Sequence, residues 1–336
     1  MPSILCFYHA PCNDGAAAAA ALEQRLLDAW DAFEDLEIRC CPLTYNTEWN
    51  DRLPASYLEQ ELHTRFPVSA IYFVDIAVAP VKFEQIYEYL RDCGRIHSGS
   101  IPVVCIDHHR SAMDRSDELR VYCTDLCIEI GEGLSGATLV WNYFNGQFSE
   151  DPPVPELLRY VADQDIWEWK LPDSQFVNAA LNALNGTVDD MRRELAESTL
   201  DPTGWLQRRT MEGKAIMGMV DAQVLRAVRN VHEVRCDDWV MLVVNSTAFN
   251  SETGNYLCAN HAFTPNALSC LYTIQEDFSV RCSLRSIDGG RIQARQVAEM
   301  FGGGGHDHAA GCRFGSFDEF RQMIAKVKET ACSVFR

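Results

Sequence analysis

Short runs of consecutive apolar residues, separated by segments with helical spacing, make up the first half of this chain. Ser3 to Tyr8, Ala70 to Val74 and Ile101 to Ile106 are predicted strands, and the segments from Ala16 to about Trp30 and from Val81 to Leu90 are predicted helices. Strands that are apolar at every position are typical of a parallel sheet covered by helices on both faces. We therefore predict an α/β domain, in which ligands bind at the carboxyl ends of the strands.

The second half of the chain changes its pattern twice. Residues 135–230 have helical spacing with few strand signals, and one long helical segment covers about Gly204 to Val231. Strand-like runs return after about Asp237, at Trp239–Val244, Ala267–Ile274 and Ser279–Arg285, before a predicted helix at Arg291–Met300. We predict a catalytic domain over residues 1–200, a helical connector over 201–234 and a smaller α/β domain over 235–336.

Composition excludes several classes of protein. With 336 residues, of which 47% are apolar and 23% charged, the chain is not disordered and can form about two domains. It contains no run of 18 apolar residues, and its start lacks the basic segment of a signal peptide, so we expect no membrane partner. The 14 cysteines are scattered without a CxxC pair, so we expect a cytoplasmic location without disulfides or structural zinc.

The net charge of −19 initially argues against a phosphate-rich partner, because phosphate binding depends on Lys and Arg. The charge is unevenly distributed, however. Residues 279–336 contain nine basic and six acidic residues, a net charge of +3, which leaves −22 for the rest of the chain. This distribution disfavours long nucleic acid but is compatible with a short phosphate-bearing substrate.

Acidic and histidine residues follow each strand predicted in the first half. His9 and Asp14 follow the first strand, Asp75 follows the second, and the third ends in Asp107-His108-His109, while Asp163-Gln164-Asp165 follows a helical run. One Asp after a strand is usually a turn former or a helix cap. Several carboxylates at one sheet edge would repel each other unless divalent cations lay between them. We therefore predict a site with two metal ions, of the kind used in phosphoryl transfer.

The order and spacing of these motifs resemble the DHH phosphoesterase superfamily. The resembling segments of the first half are His9-Ala10-Pro11-Cys12-Asn13-Asp14-Gly15, Asp75, Asp107-His108-His109 and Asp163-Gln164-Asp165-Ile166-Trp167. The tail resembles the first type of DHH-associated substrate-binding domain, at Ser283-Leu284-Arg285-Ser286, Gly302-Gly303-Gly304-Gly305-His306 and Ala309-Ala310-Gly311.

The resemblance implies a two-domain hydrolase with two Mn²⁺ ions, with Mg²⁺ or Fe²⁺ as alternatives. It implies that Asp163 rather than Asp165 is the metal-binding residue of the fourth motif, with Asp165 in an outer or helix-capping role. The first motif departs from the family, because Cys12 and Asn13 stand where an acidic residue is expected, which leaves metal occupancy open. The implied metal ligands or their immediate neighbours are His9, Asp14, Asp75, Asp107, His108 and Asp163.

The resemblance also implies catalytic and substrate-binding residues. The catalytic set is His109, Asp107 and Arg285, with His109 contacting phosphate or acting as an acid and Arg285 offering a planar fork to phosphate. We expect Trp167 and Trp169 to be core residues and His308 to be structural. The implied substrate-binding residues are Arg285, Ser286, Gly303, Gly304, Gly305 and His306.

The function predicted from sequence is metal-dependent hydrolysis of phosphodiester bonds in short oligonucleotides or linear dinucleotides. One alternative is a phosphatase for a small phosphorylated metabolite, such as a nucleoside bisphosphate or polyphosphate. Another is a nucleotide-binding protein without catalytic activity, which the unusual Cys12 and Asn13 would favour. A homodimer is compatible with all three.

Overall fold

The computed structural model describes residues 2–29, 35–44, 52–96, 101–145, 152–235 and 238–334. The structure divides into two compact units, Met1–Ile216 and Met217–Arg336. The division falls inside one long helix, α10 (Pro202–Ala227), which occupies most of the predicted connector. Trp30, the predicted end of the first helix, lies outside the described residues.

The first unit is built on a parallel sheet, as the sequence predicts. Its described strands have the order β2-β1-β3-β4-β5, and every neighbouring pair is parallel. The strands are β1 (Ser3–His9), β2 (Glu37–Leu43), β3 (Val68–Val74), β4 (Val103–Asp107) and β5 (Asp125–Ile128). The strand order reverses between β1 and β3, the place where open parallel sheets bind ligands.

Helices cover both faces of this sheet. The described helices are α1 (Asn13–Ala29), α2 (Ala55–Glu61), α3 (Pro80–Asp92), α4 (Arg110–Asp114), α5 (Ser116–Leu119), α6 (Gly136–Tyr143), α7 (Glu156–Asp165), α8 (Ser174–Asn182) and α9 (Val188–Leu200). Strand β1 is apolar throughout because both of its faces are buried. Cys6 and Tyr8 pack into the core beneath α1, α6 and α7, whereas Leu5 and Phe7 pack into the opposite core with α2 and α3.

Helix α1 crosses the sheet closely because its buried side chains are small. The six alanines Ala16–Ala21 are at most 1% exposed and belong to the same core as Ala137 and Val140 of α6. At the start of α1, a Cβ atom on Gly15 would lie 2.1 Å from the carbonyl oxygen of His9. The return from β1 into α1 therefore requires glycine at position 15.

The second unit contains a mixed sheet with the described order β10-β11-β9-β8-β7-β6, in which only β7 and β8 run parallel. Together with the first unit, this confirms the predicted α/β class. Among the described residues, no helix is long and apolar enough to span a membrane. The elements are β6 (His232–Arg235), β7 (Val240–Asn245), α11 (Asn250–Asn260), β8 (Ala267–Ile274), β9 (Val280–Arg285), α12 (Ala294–Glu299), β10 (Gly304–His306), β11 (Ala309–Phe314) and α13 (Phe317–Val334).

We expect the substitution Gly15→Ala to destabilise the first unit by about 1–3 kcal/mol, because the clash is with backbone and no side-chain rotation relieves it. The measurement is the midpoint of urea unfolding, followed by circular dichroism. Gly218→Ala in α10 is the control, since nothing lies within 4 Å of the position that its Cβ would take. It should be neutral or stabilise by up to about 1 kcal/mol. Equal midpoints for Gly15→Ala and the wild type would contradict the close approach.

Candidate functional site

The parallel sheet brings the predicted acidic and histidine residues to one edge. His9 is the last residue of β1, Asp75 directly follows β3, and Asp107 ends β4. Asp14 reaches the same edge from the first turn of α1. These positions surround the reversal of strand order between β1 and β3, so the fold itself collects residues that are far apart in sequence.

Asp75 is shared by two groups of candidate metal ligands. His9, Asp75 and His109 form one group, and Asp14, Asp75 and His108 form the other, with the donor atoms of each group within 4.8 Å of one another. His108 Nε2 lies 3.1 Å from Asp75 Oδ1 and 3.8 Å from Asp14 Oδ2, and His9 Nδ1 lies 3.5 Å from Asp75 Oδ2. The two groups are candidate sites for the two metal ions that the sequence predicts.

Helix α6 holds Asp14 in place. The Asp14 carboxylate accepts hydrogen bonds from the Ser135 hydroxyl at 2.6 Å and from the backbone N–H groups of Gly136 and Ala137 at 2.7 and 3.1 Å. A Cβ on Gly136 would lie 2.5 Å from the Asp75 Cβ, so the start of α6 also closes over Asp75. The sequence signal was present in Ser135-Gly136-Ala137, which has the pattern of a helix start.

The cluster fits a divalent cation. Asp75 is 1% exposed, and neither of its carboxylate oxygens has a hydrogen-bond partner among the described residues. Buried carboxylate oxygens are normally satisfied by hydrogen bonds or by a metal ion. Carboxylate oxygens mixed with imidazole nitrogens are ligands suited to Mn²⁺, Fe²⁺ or Mg²⁺.

The ionisable side chains of the cluster shift one another's pKa values. Burial and the nearby carboxylates of Asp75 and Asp165 raise the pKa of Asp14 well above its ordinary value. Burial would lower the pKa of His108, but the surrounding carboxylates outweigh it and raise that pKa to about 9. Burial acts to raise the pKa of Asp75, and the imidazoles of His108 and His9 nevertheless bring it below the ordinary value. Protons on the cluster thus offset the negative charge of its carboxylates, and a cation bound there can replace these protons.

Asp107 contacts His109, a member of one group of candidate ligands, and belongs to neither group itself. Its Oδ1 accepts hydrogen bonds from the backbone N–H groups of His108 and His109 at 2.7 and 3.0 Å, and lies 2.7 Å from His109 Nδ1. This carboxylate also raises the pKa of His109. The other oxygen, Oδ2, is buried without a hydrogen-bond partner among the described residues, so the expectation that Asp107 is a metal ligand stays a prediction. The contacts of Oδ1 favour a role in orienting His109.

Asp163 and Asp165 occupy the opposite positions from those expected. The Asp163 carboxylate turns away from the cluster and accepts hydrogen bonds from the backbone N–H groups of Lys170 and Leu171 at 2.8 and 3.4 Å. Asp165 Oδ2 instead lies 3.3 Å from His108 Nε2. The geometry corrects the preference for Asp163 and favours Asp165 as the fourth-motif ligand. Both residues are on the last turn of α7, so their spacing alone does not distinguish them.

Cys12 lies beside the cluster as a neutral thiol. Burial, together with the nearby carboxylates of Asp75 and Asp14, raises its pKa to about 12. His109 Nδ1 lies 2.7 Å from Asp107 Oδ1, so the two groups of candidate ligands differ in what surrounds their donor atoms.

In the second unit, Arg285 and His306 lie on one face of the sheet. His306 pairs with Ala309 in the register of β10 and β11, and Ala309 pairs with Arg285 in the register of β11 and β9. Residues in one such row point to the same side of a sheet. The Arg285 guanidinium is held there by Ser251, to whose hydroxyl oxygen it donates a hydrogen bond of 2.8 Å.

The other predicted substrate-binding residues of this unit have structural contacts. Ser286 is 3% exposed, and its hydroxyl accepts a hydrogen bond from the Ala294 N–H and lies 3.1 Å from His308 Nδ1. The Gly303 N–H donates to the Ala298 carbonyl. Gly304 and Gly305 pair with β11 as part of strand β10. Burial removes Ser286 from the set of residues that could contact a substrate, which corrects that expectation.

Trp167 is not a core residue, contrary to expectation. Its side chain is 74% exposed, and its ring meets that of Trp169 edge to face, with ring centroids 5.1 Å apart. Both residues have positive φ angles, 59° and 54°. Bulky side chains rarely adopt this left-handed conformation, which occurs disproportionately at functional sites.

Comparison with known proteins gives distant relatives. No protein-family model matches the chain. Uncharacterized protein R106 of Acanthamoeba polyphaga mimivirus is 28% identical over 222 residues, which are 63% of this chain and 47% of the relative. Oligoribonuclease NrnB of Bacillus subtilis is 24% identical over 291 residues, which are 83% of this chain and 66% of the relative. The matches thus span about half and just under two thirds of these relatives' lengths.

The NrnB match covers 83% of this chain. The motifs predicted in the first half of the sequence meet at one edge of the parallel sheet. The match to NrnB supports the resemblance of the chain to the DHH phosphoesterase superfamily. Solved structures also resemble this protein weakly. An exopolyphosphatase-related protein from Bacteroides fragilis has a TM-score of 0.47 and 15% identity, covering 98% of this chain and 93% of that one. The pGpG-specific phosphodiesterase PggH from Vibrio cholerae has a TM-score of 0.47 and 12% identity, covering 98% and 99%.

We expect Mn²⁺ to stabilise this protein against urea by about 3–4 kcal/mol at 100 to 1,000 times its dissociation constant, as linkage requires for a ligand of the folded state. Asp75→Asn removes the shared carboxylate and should abolish most of this stabilisation. Asp165→Asn should weaken it. The measurement is urea unfolding with Mn²⁺ or with a chelator.

Asp163→Asn is the matched control, because Asp163 is also buried but binds backbone N–H groups. This variant should lose stability with and without Mn²⁺ while keeping the Mn²⁺-induced difference. Loss of that difference in Asp163→Asn and its retention in Asp165→Asn would restore the original preference for Asp163.

Proposed function

We propose that this protein is a divalent-metal-dependent phosphodiesterase of the DHH superfamily that hydrolyses short oligonucleotides, in particular linear dinucleotides. The observation that carries the proposal is the buried Asp75, shared by two groups of candidate ligands at the carboxyl edge of the parallel sheet. The similarity to a protein described as an oligoribonuclease supports the substrate class.

The proposed ligands are His9, Asp14, Asp75, His108 and Asp165. Cations bound by these residues would supply Lewis acidity, activating water and offsetting the charge of the phosphoryl oxygens. Oxygen and nitrogen donors together make Mn²⁺ the proposed cation.

His109 is the proposed general acid. Its Nδ1 lies 2.7 Å from Asp107 Oδ1, and this carboxylate raises the pKa of His109, which favours the protonated imidazole. In hydrolysis, water adds to phosphorus and releases a proton to the solvent, the bond from phosphorus to the leaving oxygen breaks, and the His109 imidazolium gives that oxygen a proton. In the second unit, Arg285 and His306 are the proposed contacts to the substrate.

A short substrate is proposed because of the charge distribution. Residues 1–278 carry a net charge of −22, so a long polyanion extending over them would meet repulsion at every added phosphate. A dinucleotide has one internal phosphodiester and avoids this cost.

We expect turnover by the Mn²⁺-loaded protein to fall steeply beyond about five nucleotides, since added phosphates meet the acidic surface. The measurement is kcat/KM for RNA and DNA oligomers of two to 24 nucleotides at fixed ionic strength. Higher salt should reduce the penalty for length by screening the charges. Equal rates on long single strands would contradict the proposal, and turnover of inorganic polyphosphate alone would replace it with the phosphatase alternative.

We expect Asp107→Asn to lower kcat by about 100-fold with little change in KM, the size typical of losing a general acid. The carboxamide can still accept backbone hydrogen bonds but no longer supplies the negative charge beside His109. Because Asp107 acts through His109, stabilisation by Mn²⁺ should persist in this variant.

Asp125→Asn is the control. Asp125 is an exposed residue at the start of the neighbouring strand β5 and accepts a hydrogen bond from Tyr143. It should retain wild-type kcat. Unchanged kcat in Asp107→Asn would remove the orienting role, and a lost response to Mn²⁺ would place Asp107 among the metal ligands.

A further inference from the structure

A cavity of about 470 Å³ in the first unit adjoins the carboxylates of the cluster. Asp14, Asp165 and Trp167 are among the residues that line it. The volume lies in the range of cavities that bind small molecules. The proposed reaction uses none of the remaining lining residues.

Side-chain amides provide most of the other polar groups in the lining. They belong to Asn13, Gln164, Asn182 and Asn185. Asn13 donates a hydrogen bond of 2.8 Å to the Asn182 side-chain oxygen, which fixes two of these amides in relation to each other. The amides of Gln164 and Asn185 have no side-chain hydrogen bond within the part of the chain that the structure describes.

The chemistry of this lining disfavours a phosphate. Phosphate oxygens only accept hydrogen bonds and are usually held by Arg, Lys or backbone N–H groups. None of the residues lining the cavity is Lys or Arg, and the two acidic residues would repel a second phosphate. An amide side chain instead offers one acceptor and two donor hydrogens, which match the mixed donors and acceptors on the edge of a nucleobase.

Trp167 adds a surface for stacking. Its exposed indole and the apolar side chains of Pro11, Val161 and Leu184 are hydrophobic parts of the lining. Unpaired bases bind proteins by stacking on aromatic rings while their edges form hydrogen bonds. We propose that this cavity binds the nucleobase of a nucleotide adjoining the scissile phosphate, with Trp167 as the stacking residue and Gln164 and Asn185 as contacts to the base edge.

This inference rests on the proposed function, because it assumes that the phosphate lies at the carboxylate–histidine cluster. It assigns substrate specificity to the first unit, in addition to the proposed contacts of Arg285 and His306.

The test compares pApA with two analogues, each lacking one of the two bases. Trp167→Ala should raise KM for pApA by about tenfold, the effect of losing one stacked base, while kcat stays within about twofold. For the analogue without the base that the cavity binds, wild type and variant should have the same KM, since the contact is already absent. Trp167→Phe should retain most of the wild-type affinity.

Phe278→Ala is a matched control. Phe278 is also an aromatic residue with positive φ, 60°, and is 78% exposed, but it lies outside the cavity lining. Its KM should be unchanged for all three substrates. The inference is overturned if Trp167→Ala leaves KM for pApA unchanged, or raises KM equally for pApA and both analogues.

A binding measurement separates this inference from the proposed function. AMP should quench the tryptophan fluorescence of the wild type but not that of Trp167→Phe, and ribose 5-phosphate should quench neither. If the metal-loaded wild type hydrolyses no dinucleotide, the proposed function fails, and this titration still decides whether the cavity binds a base. The absence of AMP-specific quenching would overturn the inference.

Discussion

Electrostatic repulsion within a buried cluster is the constraint on which the first unit depends. Asp14, Asp75 and Asp165 lie around the imidazole of His108, and the first two are buried away from the water that would screen their charges. Such a group is stable only when protons, hydrogen bonds or cations offset its charge. The start of α6 supplies hydrogen bonds to Asp14, and His108 supplies a positive charge. Asp75 is the carboxylate for which the described residues supply no hydrogen bond, so the need for a cation is greatest there.

The parallel sheet could be predicted because its central strands are buried on both faces. β1, β3 and β4 are apolar at nearly every position, and their ends show where His9, Asp75 and Asp107 would meet. The edge strands β2 and β5 escaped prediction. Strand β2 contains Glu37, Arg39 and Pro42, and a strand with one free edge tolerates such residues.

The assignment of roles to single residues of the site depends on the directions of their side chains, which a sequence pattern does not contain. Asp163 and Asp165 differ in which side of the last turn of α7 they occupy, and only the fold determines that the Lys170 N–H meets the first of them. Trp167 was predicted as core because large aromatic residues usually are, whereas the chain bends there through left-handed conformations and exposes the ring. Arg285 and His306 share a face of the sheet because of the strand register. Ser286 directly follows Arg285 in sequence but is buried.

The alanine segment of α1 has a consequence for how mutational data on this protein should be interpreted. Ala16–Ala21 are six consecutive residues without an exposed member, so every turn of the helix over this stretch faces protein on all sides. Any larger side chain there must displace the sheet or α6. A saturation mutagenesis screen would therefore find this segment about as intolerant as the adjoining His9 and Asp14. Intolerance alone would not separate residues that perform chemistry from residues that leave room for the backbone.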